Sequence, residues 1–225
     1  MKLSSYIRTN LQIMLRPKGK QGFLSTLDST SRILDVGCGN HKSVSSFKMV
    51  LPDCIYTGID VGDYNQTSDS LSQIDEYIVT ASSTFPSKIA SLGNRFDAVV
   101  SSHNLEHCDN RNQCLDSIMK VVVKGGSVYL SFPSEKSIGF PRRSGTLNYY
   151  DDDTHQDSPP DFEAILEELK NNNFNVTFSA KYYKPFILRF IGFIMEPISM
   201  VTKRISIGTW DYYGFESIIH ATKVS

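Results

Sequence analysis

The nine residues from Arg32 to Asn40 read RILDVGCGN, a short apolar run that passes directly into two glycines one residue apart. The apolar run predicts a buried strand, and residues 43–50 predict a helix after the glycines. A strand, a glycine turn and a helix in this order are typical of an open α/β sheet. Ligands of such sheets bind beyond the carboxyl ends of the strands, so we expect residues 35–41 to lie at the centre of a binding site.

Strand and helix signals alternate along the rest of the chain, which predicts a mostly parallel sheet. Further strands are predicted at residues 54–59, 76–80, 96–101, 127–132, 173–180 and 215–223, and further helices at 3–15, 111–123 and 161–171. Glycine adopts the left-handed conformation without strain, so the Lys-Gly-Gly run at 124–126 is expected to end the second of these helices. We predict a single α/β domain over residues 1–225, with a Rossmann-like, doubly wound, mostly parallel seven-stranded sheet and a late antiparallel strand.

Three segments stand outside this alternation. Residues 1–30 predict a helical cap that covers a sheet edge or the mouth of the binding site. Residues 133–160 form a long loop rich in Pro, Gly, Arg, Tyr and Asp, and loops of this length usually carry function, so we expect it to border a substrate. Residues 181–214 predict a helical and aromatic insertion before the last strand.

The charge and cysteine content narrow the partners and the compartment. The chain has 23 basic and 24 acidic side chains, so no overall positive field attracts a polyanion, and nucleic acid is not expected as a partner. Its four cysteines show no metal-ligand spacing and suit a reducing compartment. The N-terminus lacks the features of a signal peptide. We therefore expect a cytoplasmic protein.

One stretch, from Pro185 to Met200, is rich in Phe, Ile, Leu and Met but is interrupted by Arg189, Glu196 and Pro197. It is shorter and more interrupted than the roughly 20 apolar residues of a membrane-spanning helix, so no transmembrane segment is expected. We favour a helix that packs on its own domain or on a partner subunit, as in a homodimer. Peripheral docking at a membrane interface is the alternative.

The residues around the glycine turn distinguish between ligands. A dinucleotide fingerprint requires a third glycine where Lys42 stands, and no segment matches a phosphate-binding P-loop. Asp60 lies 21 residues beyond Gly39, where a carboxylate can accept both hydroxyls of an adenosine ribose. An acid such as Asp35 beside free backbone N–H groups suits the amino-acid end of S-adenosylmethionine (SAM). An NAD-dependent oxidoreductase remains an alternative.

Residues 33–40, 56–60, 96–107 and 124–131 resemble, in this order, the motifs of the class I SAM-dependent methyltransferases. The resemblance implies that the glycine loop holds the methionine part of SAM, that the acid after the second strand holds the ribose, and that the segment after the fourth strand faces cofactor and substrate. It assigns cofactor binding to Asp35, Gly37, Gly39, Asp60, Val61, Ser101 and Ser102. Two departures stand out: His41 replaces a common third glycine, and residues 80–83 (TASS) lack the acid often found near the adenine.

Methyl transfer from a sulfonium is an in-line displacement, and a hydroxyl acceptor also requires a base. Residues 149–155 (YYDDDTH) resemble a stretch that borders the active site in many small-molecule methyltransferases. We therefore predict His155 as the general base, oriented by Asp152 or Asp153, with His103 in reserve. An acidic turn that only caps the next helix is an equally weighted alternative. For His107 we favour a structural role.

The long loop also offers substrate-binding candidates. Arg142 and Arg143 suit a carboxylate or phosphate, and Tyr150 belongs to the same predicted surface. Asp151, Asp153 and His155 could bind Mg or Mn, but we expect no metal. The function these patterns favour is methyl transfer to a small-molecule acceptor, with a hydroxyl of a sugar or another anionic metabolite of surface carbohydrate assembly as the most specific hypothesis. A non-catalytic SAM-binding protein that regulates an assembly is the main alternative.

Overall fold

The alternation of strands and helices forms one sheet in the computed structural model, which describes residues 3–40, 42–64 and 66–224. His41, which was predicted to replace a glycine, lies outside the described residues. Within them, seven strands share the sheet: β1 (Arg32–Val36), β2 (Ile55–Asp60), β3 (Glu76–Val79), β4 (Phe96–Ser102), β5 (Val122–Pro133), β6 (Phe174–Ala180) and β7 (Glu216–Lys223).

The strand order is β3-β2-β1-β4-β5-β7-β6. Strands β1 to β5 pair in parallel, whereas β7 is inserted antiparallel between β5 and β6. The predicted Rossmann-like fold with a late antiparallel strand is confirmed. Because the chain reverses direction across the sheet between β1 and β4, the carboxyl ends of these two strands flank a natural crevice.

The helices of the described part are α1 (Leu3–Leu15), α2 (Lys20–Leu24), α3 (Lys42–Val50), α4 (Ser68–Leu71), α5 (Phe85–Ser91), α6 (Arg111–Val121), α7 (Phe162–Asn171), α8 (Phe186–Thr202) and α9 (Thr209–Tyr213). Side-chain caps begin three of them, α4, α6 and α7. Asn110 accepts a hydrogen bond from the Gln113 N–H at the start of α6, and Asp161 accepts from two amides at the start of α7.

Successive residues of a strand point to opposite faces, so both faces of this sheet are buried. Leu34 of β1 belongs to an apolar cluster with residues of α5, α6 and α7, and its neighbour Ile33 belongs to a second cluster with residues of α2 and α3. Helix α2 of the N-terminal cap therefore covers a face of the central sheet, whereas the sequence predicted that the cap covers a sheet edge or the mouth of the binding site. Phe23 of α2 lies 5.5 Å from the ring of Tyr129 in β5.

The end of α6 differs from the prediction. The helix ends at Val121, and residues 122–126 already belong to β5. Val122 and Val123, two β-branched residues that favour strand conformation, start β5 before the glycines are reached. The Lys223 ammonium donates to the carbonyls of Met119 and Val122, which satisfies acceptors at the helix end.

The insertion between β6 and β7 contains α8 and α9, as the sequence predicted a helical and aromatic segment there. The long loop after β5 has short 3-10 turns at Glu135–Gly139 and Tyr149–Asp151. Among the described helices, none combines the length and the apolar character that crossing a bilayer demands.

Candidate active site

The turn after β1 has two glycines in the left-handed region, Gly37 at φ 73° and Gly39 at φ 60°. A Cβ atom added to Gly37 would lie 2.5 Å from the side-chain oxygen of Asn104, so this glycine allows the segment after β4 to pack on the turn. A Cβ added to Gly39 would meet nothing within 4 Å. The backbone at Gly39 therefore faces open space, where a ligand can approach it closely.

Asp60, the last residue of β2, joins two strand ends. Its carboxylate accepts one hydrogen bond from the Gly39 N–H at 2.6 Å and another from its own neighbour Val61 N–H at 2.7 Å. Burial raises the pKa of Asp60 above its ordinary value, and these two N–H donors act against that rise. Each carboxylate oxygen keeps a further lone pair, so the group can still accept ligand hydroxyls.

A cavity of about 440 Å³ opens above these strand ends. Four of the predicted cofactor residues, Gly37, Gly39, Asp60 and Val61, line it. Its remaining wall comes from the β2–α4 connection, the β3–α5 connection with the start of α5, the segment after β4 with the start of α6, and the long loop. The residues are Tyr64, Ser82, Ser83, Phe85, Pro86, His103, Asn104, His107, Cys108, Asp109, Asn110, Gln113 and Thr154. These predicted cofactor residues and the polar segment after β4 therefore face one cavity.

A second cavity, of about 290 Å³, shares His103 and His107 with the first. Its other walls include Gly145, Thr146, Asp152 and His155 of the long loop, Trp210 of α9, and Phe215 before β7. The rings of Trp210 and Phe215 stack with their centroids 4.6 Å apart. A ligand in the first cavity and a second molecule in this one would meet at the shared histidines.

A family model described as a methyltransferase domain matches residues 9–178. The chain belongs to the class I SAM-dependent methyltransferases. Its cofactor is SAM, and the first cavity fits it, because Gly39 leaves room for the methionine part and Asp60 offers acceptors for the ribose. No curated protein matches the sequence.

Solved structures share the methyltransferase fold at low sequence identity. A chain of the complex between the Haloferax volcanii Trm112 methyltransferase activator and a methyltransferase is 10% identical, with a TM-score of 0.62 over 97% of this chain and 94% of that one. A SAM-dependent methyltransferase from Archaeoglobus fulgidus is 15% identical, with a TM-score of 0.51 over 96% and 99%. Phosphoethanolamine N-methyltransferase 2 of Haemonchus contortus, solved with SAM, is 15% identical, with a TM-score of 0.56 over 97% and 53%. At these identities the likeness shows the fold alone.

Three of the predicted cofactor residues, Asp35, Ser101 and Ser102, do not line the first cavity. Asp35 is buried, and one of its oxygens accepts hydrogen bonds from the hydroxyls of Ser43 and Tyr56, both at 2.6 Å. Ser101 is buried, and Ser102 shares a hydrogen bond with Ser131 of β5. In this arrangement these residues hold the strand ends in place. Direct contact between Asp35 and the ammonium group of SAM stays a prediction.

The sequence interpretation missed several wall residues of the cofactor cavity. Asn104 and Gln113 were not singled out, and the serines that replace the adenine-side acid, Ser82 and Ser83, proved to line the cavity. Asn104 lies directly after β4, and position at the carboxyl end of a central strand is the signal that could have identified it. Asp109 also lines this side of the cavity, so the methyltransferase has a carboxylate near the region that the TASS segment leaves without one.

His103 has the wrong charge state for a general base, which corrects its assignment as the reserve. Burial alone disfavours a charged imidazole, but hydrogen bonds to Glu106 at 3.0 Å and Glu216 at 3.3 Å outweigh it and raise the pKa of His103 to about 10. The ring is therefore protonated near neutral pH and has no lone pair for a proton. Glu216 also pairs with Arg16, which ties the N-terminal cap to the site.

His155 has the geometry of a base. Its Nδ1 lies 2.6 Å from the carbonyl oxygen of Tyr149, and a carbonyl only accepts, so Nδ1 carries the proton and the neutral ring keeps its lone pair on Nε2. Asp152 was expected to orient the ring, but the Tyr149 carbonyl does so. Asp152 instead places a carboxylate oxygen 4.0 Å from Nε2. Asp153 has no contact with His155 among the described interactions.

Glu106, His107 and His155 come together in the wall of the second cavity. One ligand atom from each lies within 4.8 Å of the others, the group in the described part of the chain that could hold a metal. Glu106 is fully buried, and its Oε2 has no hydrogen-bond partner there. The structure does not bring together the metal site of Asp151, Asp153 and His155 that the sequence offered as an alternative. One oxygen of Asp151 instead accepts hydrogen bonds from the backbone N–H groups of residues 143, 147 and 148.

The assignment of Arg143 to substrate binding is wrong. Its buried guanidinium makes two hydrogen bonds to the Glu196 carboxylate, at 2.6 and 2.8 Å, and one to the Ser199 hydroxyl, which fastens the long loop to α8. The Arg143 hydrogen bonds lower the pKa of Glu196, although burial opposes this. Arg142 and Tyr150 are exposed, bond to each other through the Tyr150 carbonyl, and line neither cavity.

Proposed function

We propose that this methyltransferase transfers the methyl group of SAM to a hydroxyl of a small polar acceptor, such as a sugar, bound in the second cavity. The observation that supports this most is the wall shared by the two cavities, because molecules bound in both would meet at His103 and His107. Stacked Trp210 and Phe215 offer an apolar face, and a few convergent polar groups surround it, as in many small-molecule sites.

In this proposal His155 removes the hydroxyl proton through Nε2 while the acceptor oxygen attacks the methyl carbon. The C–S bond of SAM breaks as the C–O bond forms, and S-adenosylhomocysteine leaves. Asp152, beside Nε2, and the unpaired Glu106 oxygen stabilise the imidazolium that results. With Arg143 held inside the fold, an anionic acceptor has less support than a neutral one.

Conversion of SAM to S-adenosylhomocysteine with a panel of hydroxyl-bearing acceptors tests the proposal. With an active acceptor, His155→Ala should lower turnover roughly 10² to 10⁴-fold and leave SAM affinity unchanged. Tyr150→Phe, an exposed change in the same loop, is the matched control and should stay within about twofold. A His155→Ala enzyme within a few-fold of the parent contradicts the base assignment. SAM binding without turnover on any acceptor would favour the non-catalytic alternative.

Chelation distinguishes the base from a metal at the same side chains. We expect turnover to survive EDTA, because the proposed step uses the His155 lone pair and no cation. If EDTA abolishes turnover and Mn²⁺ restores it, then Glu106, His107 and His155 hold a metal that activates the acceptor. That outcome would replace the base mechanism and leave the methyl transfer itself intact.

A further inference from the structure

Helix α8 has an apolar face that the rest of the described chain leaves uncovered. Phe186 and Val201 are each 84% exposed, at the two ends of its 17 residues. Between them the same face exposes Ile187, Phe190, Phe193, Ile194, Ile198 and Met200. Exposed apolar patches of this extent mark interaction sites in water-soluble proteins.

The opposite face fixes the helix in this orientation. Its buried residues are Leu188, Gly192, Glu196 and Ser199. A Cβ added to Gly192 would lie 2.0 Å from the Gly208 carbonyl oxygen before α9, so the two backbones meet in direct contact. Glu196 is bound by Arg143 and also accepts from the Tyr213 hydroxyl at 2.6 Å. Turning α8 to bury its phenylalanines would break this ion pair, so the apolar face stays outward.

The charges around this face have one sign. Lys184 and Arg189 lie at its start, Lys203 and Arg204 at its end, and all four are exposed. The acid within the stretch, Glu196, is buried and neutralised by Arg143. None of the four basic residues forms an ion pair with another described residue.

The apolar face with basic residues at both ends distinguishes a lipid surface from a second copy of the chain as the partner of α8. In a pair of α8 helices from two copies, either orientation would place basic ends against basic ends. A surface of anionic lipid offers an acyl region to the phenylalanines and negative head groups to the basic residues. We propose that α8 docks this enzyme at an anionic membrane interface, with the helix axis in the plane of the membrane.

The docking helix and the acceptor cavity belong to one packed unit. Arg143 joins α8 to the long loop, and α9, which packs on α8, carries Trp210 of the cavity wall. Docking would therefore place that wall near the lipid surface, where an acceptor carried by a lipid could be reached. The docking inference itself does not depend on the identity of the acceptor.

Cosedimentation with lipid vesicles tests the inference on the full chain. The protein should bind vesicles that contain phosphatidylglycerol and bind phosphatidylcholine vesicles much more weakly, with binding reduced by salt. The double variant Phe190→Ser with Phe193→Ser should bind about tenfold or more weakly. Arg189→Gln and Lys203→Gln should each weaken binding to the anionic vesicles about fivefold, the equivalent of one lost cation.

A control variant carries Leu71→Ser and Val224→Ser, two exposed apolar residues outside α8, and should bind like the parent. Thermal unfolding confirms that each variant is folded. The inference is overturned if vesicles do not bind, or if binding ignores the α8 substitutions. A concentration-dependent dimer that the phenylalanine variant abolishes, without vesicle binding, would assign the face to a second copy instead. The charge variants keep the inference testable if the phenylalanine variant fails to fold.

Discussion

The cofactor side and the acceptor side of this methyltransferase hold their charged groups in different ways. On the cofactor side, Asp60 is held by backbone N–H groups of neighbouring turns and still faces the cavity. On the acceptor side, charged side chains hold one another: Arg143 with Glu196, and His103 with Glu106 and Glu216. A carboxylate held by backbone N–H groups can still bind a ligand, whereas charged side chains that pair with each other stabilise the fold and are not available to a ligand.

This contrast predicts that a charge removed from the acceptor side costs stability, and a charge removed from the cofactor side costs ligand affinity. Removing one partner of a buried ion pair leaves the other charge unpaired in the protein interior, where water cannot solvate it. Losing a ligand contact removes hydrogen bonds that form only when the ligand is bound. The predictions below test this division.

Glu196→Ala should show the largest effect. It leaves the buried guanidinium of Arg143 unpaired, so the free energy of unfolding should fall by about 3–5 kcal/mol, with the affinity of the remaining folded protein for SAM unchanged. Asp116→Ala removes an exposed pair with Lys120 and should cost less than about 1 kcal/mol. Both values come from denaturant unfolding. Equal losses for the two variants would mean that the Arg143 pair does not hold the acceptor side together.

His103 should make stability depend on pH. Its pKa is raised to about 10 in the folded chain, so its contribution is complete below the ordinary imidazole pKa of about 6.5 and is lost as pH rises towards 10. The partner Glu216, with its pKa lowered to about 2, stays ionised throughout this range. The free energy of unfolding should therefore fall by a few kcal/mol between neutral pH and pH 10. A His103→Asn variant should lack that part of the decline; identical slopes for variant and parent would refute the ion-pair assignment.

The two glycines of the turn should respond differently to alanine. Both have positive φ, so each substitution costs roughly 1–2 kcal/mol of strain. Gly37→Ala also collides with Asn104, and overpacking adds about 1–3 kcal/mol. Gly39→Ala meets no atom but extends into the cofactor cavity, so it should weaken SAM binding more than it weakens the fold. Unfolding and calorimetric titration measure the two effects, and equal stabilities would contradict the close packing at Gly37.

Residues on the cofactor side could be predicted because their geometry is local. The glycine turn and Asp60 follow their strands directly in the chain, and strand ends meet at one edge of a parallel sheet. The strand β1 was predicted from the apolar residues of its run, and Ile33, Leu34 and Val36 are all buried in the sheet.

The acceptor side depends on contacts that no local pattern contains. Arg143 meets Glu196, which lies 53 residues further along the chain, so a pair of arginines in a loop could not be told from a substrate clamp. The charge of His103 depends on Glu216, 113 residues away. The tautomer of His155 depends on a backbone carbonyl whose direction is set by the fold of the loop. Each of these required the three-dimensional structure.

Calorimetric titration of SAM into the parent, Asp60→Ala and Asp116→Ala tests the central claim, that the cofactor is bound at the Gly39 and Asp60 side of the sheet. Asp60→Ala should bind SAM about 1–3 kcal/mol more weakly, because the ribose hydroxyls lose charge-assisted hydrogen bonds. Asp116→Ala, an acid on the exposed face of α6, should bind like the parent. A folded Asp60→Ala protein with unchanged affinity for SAM would contradict the claim.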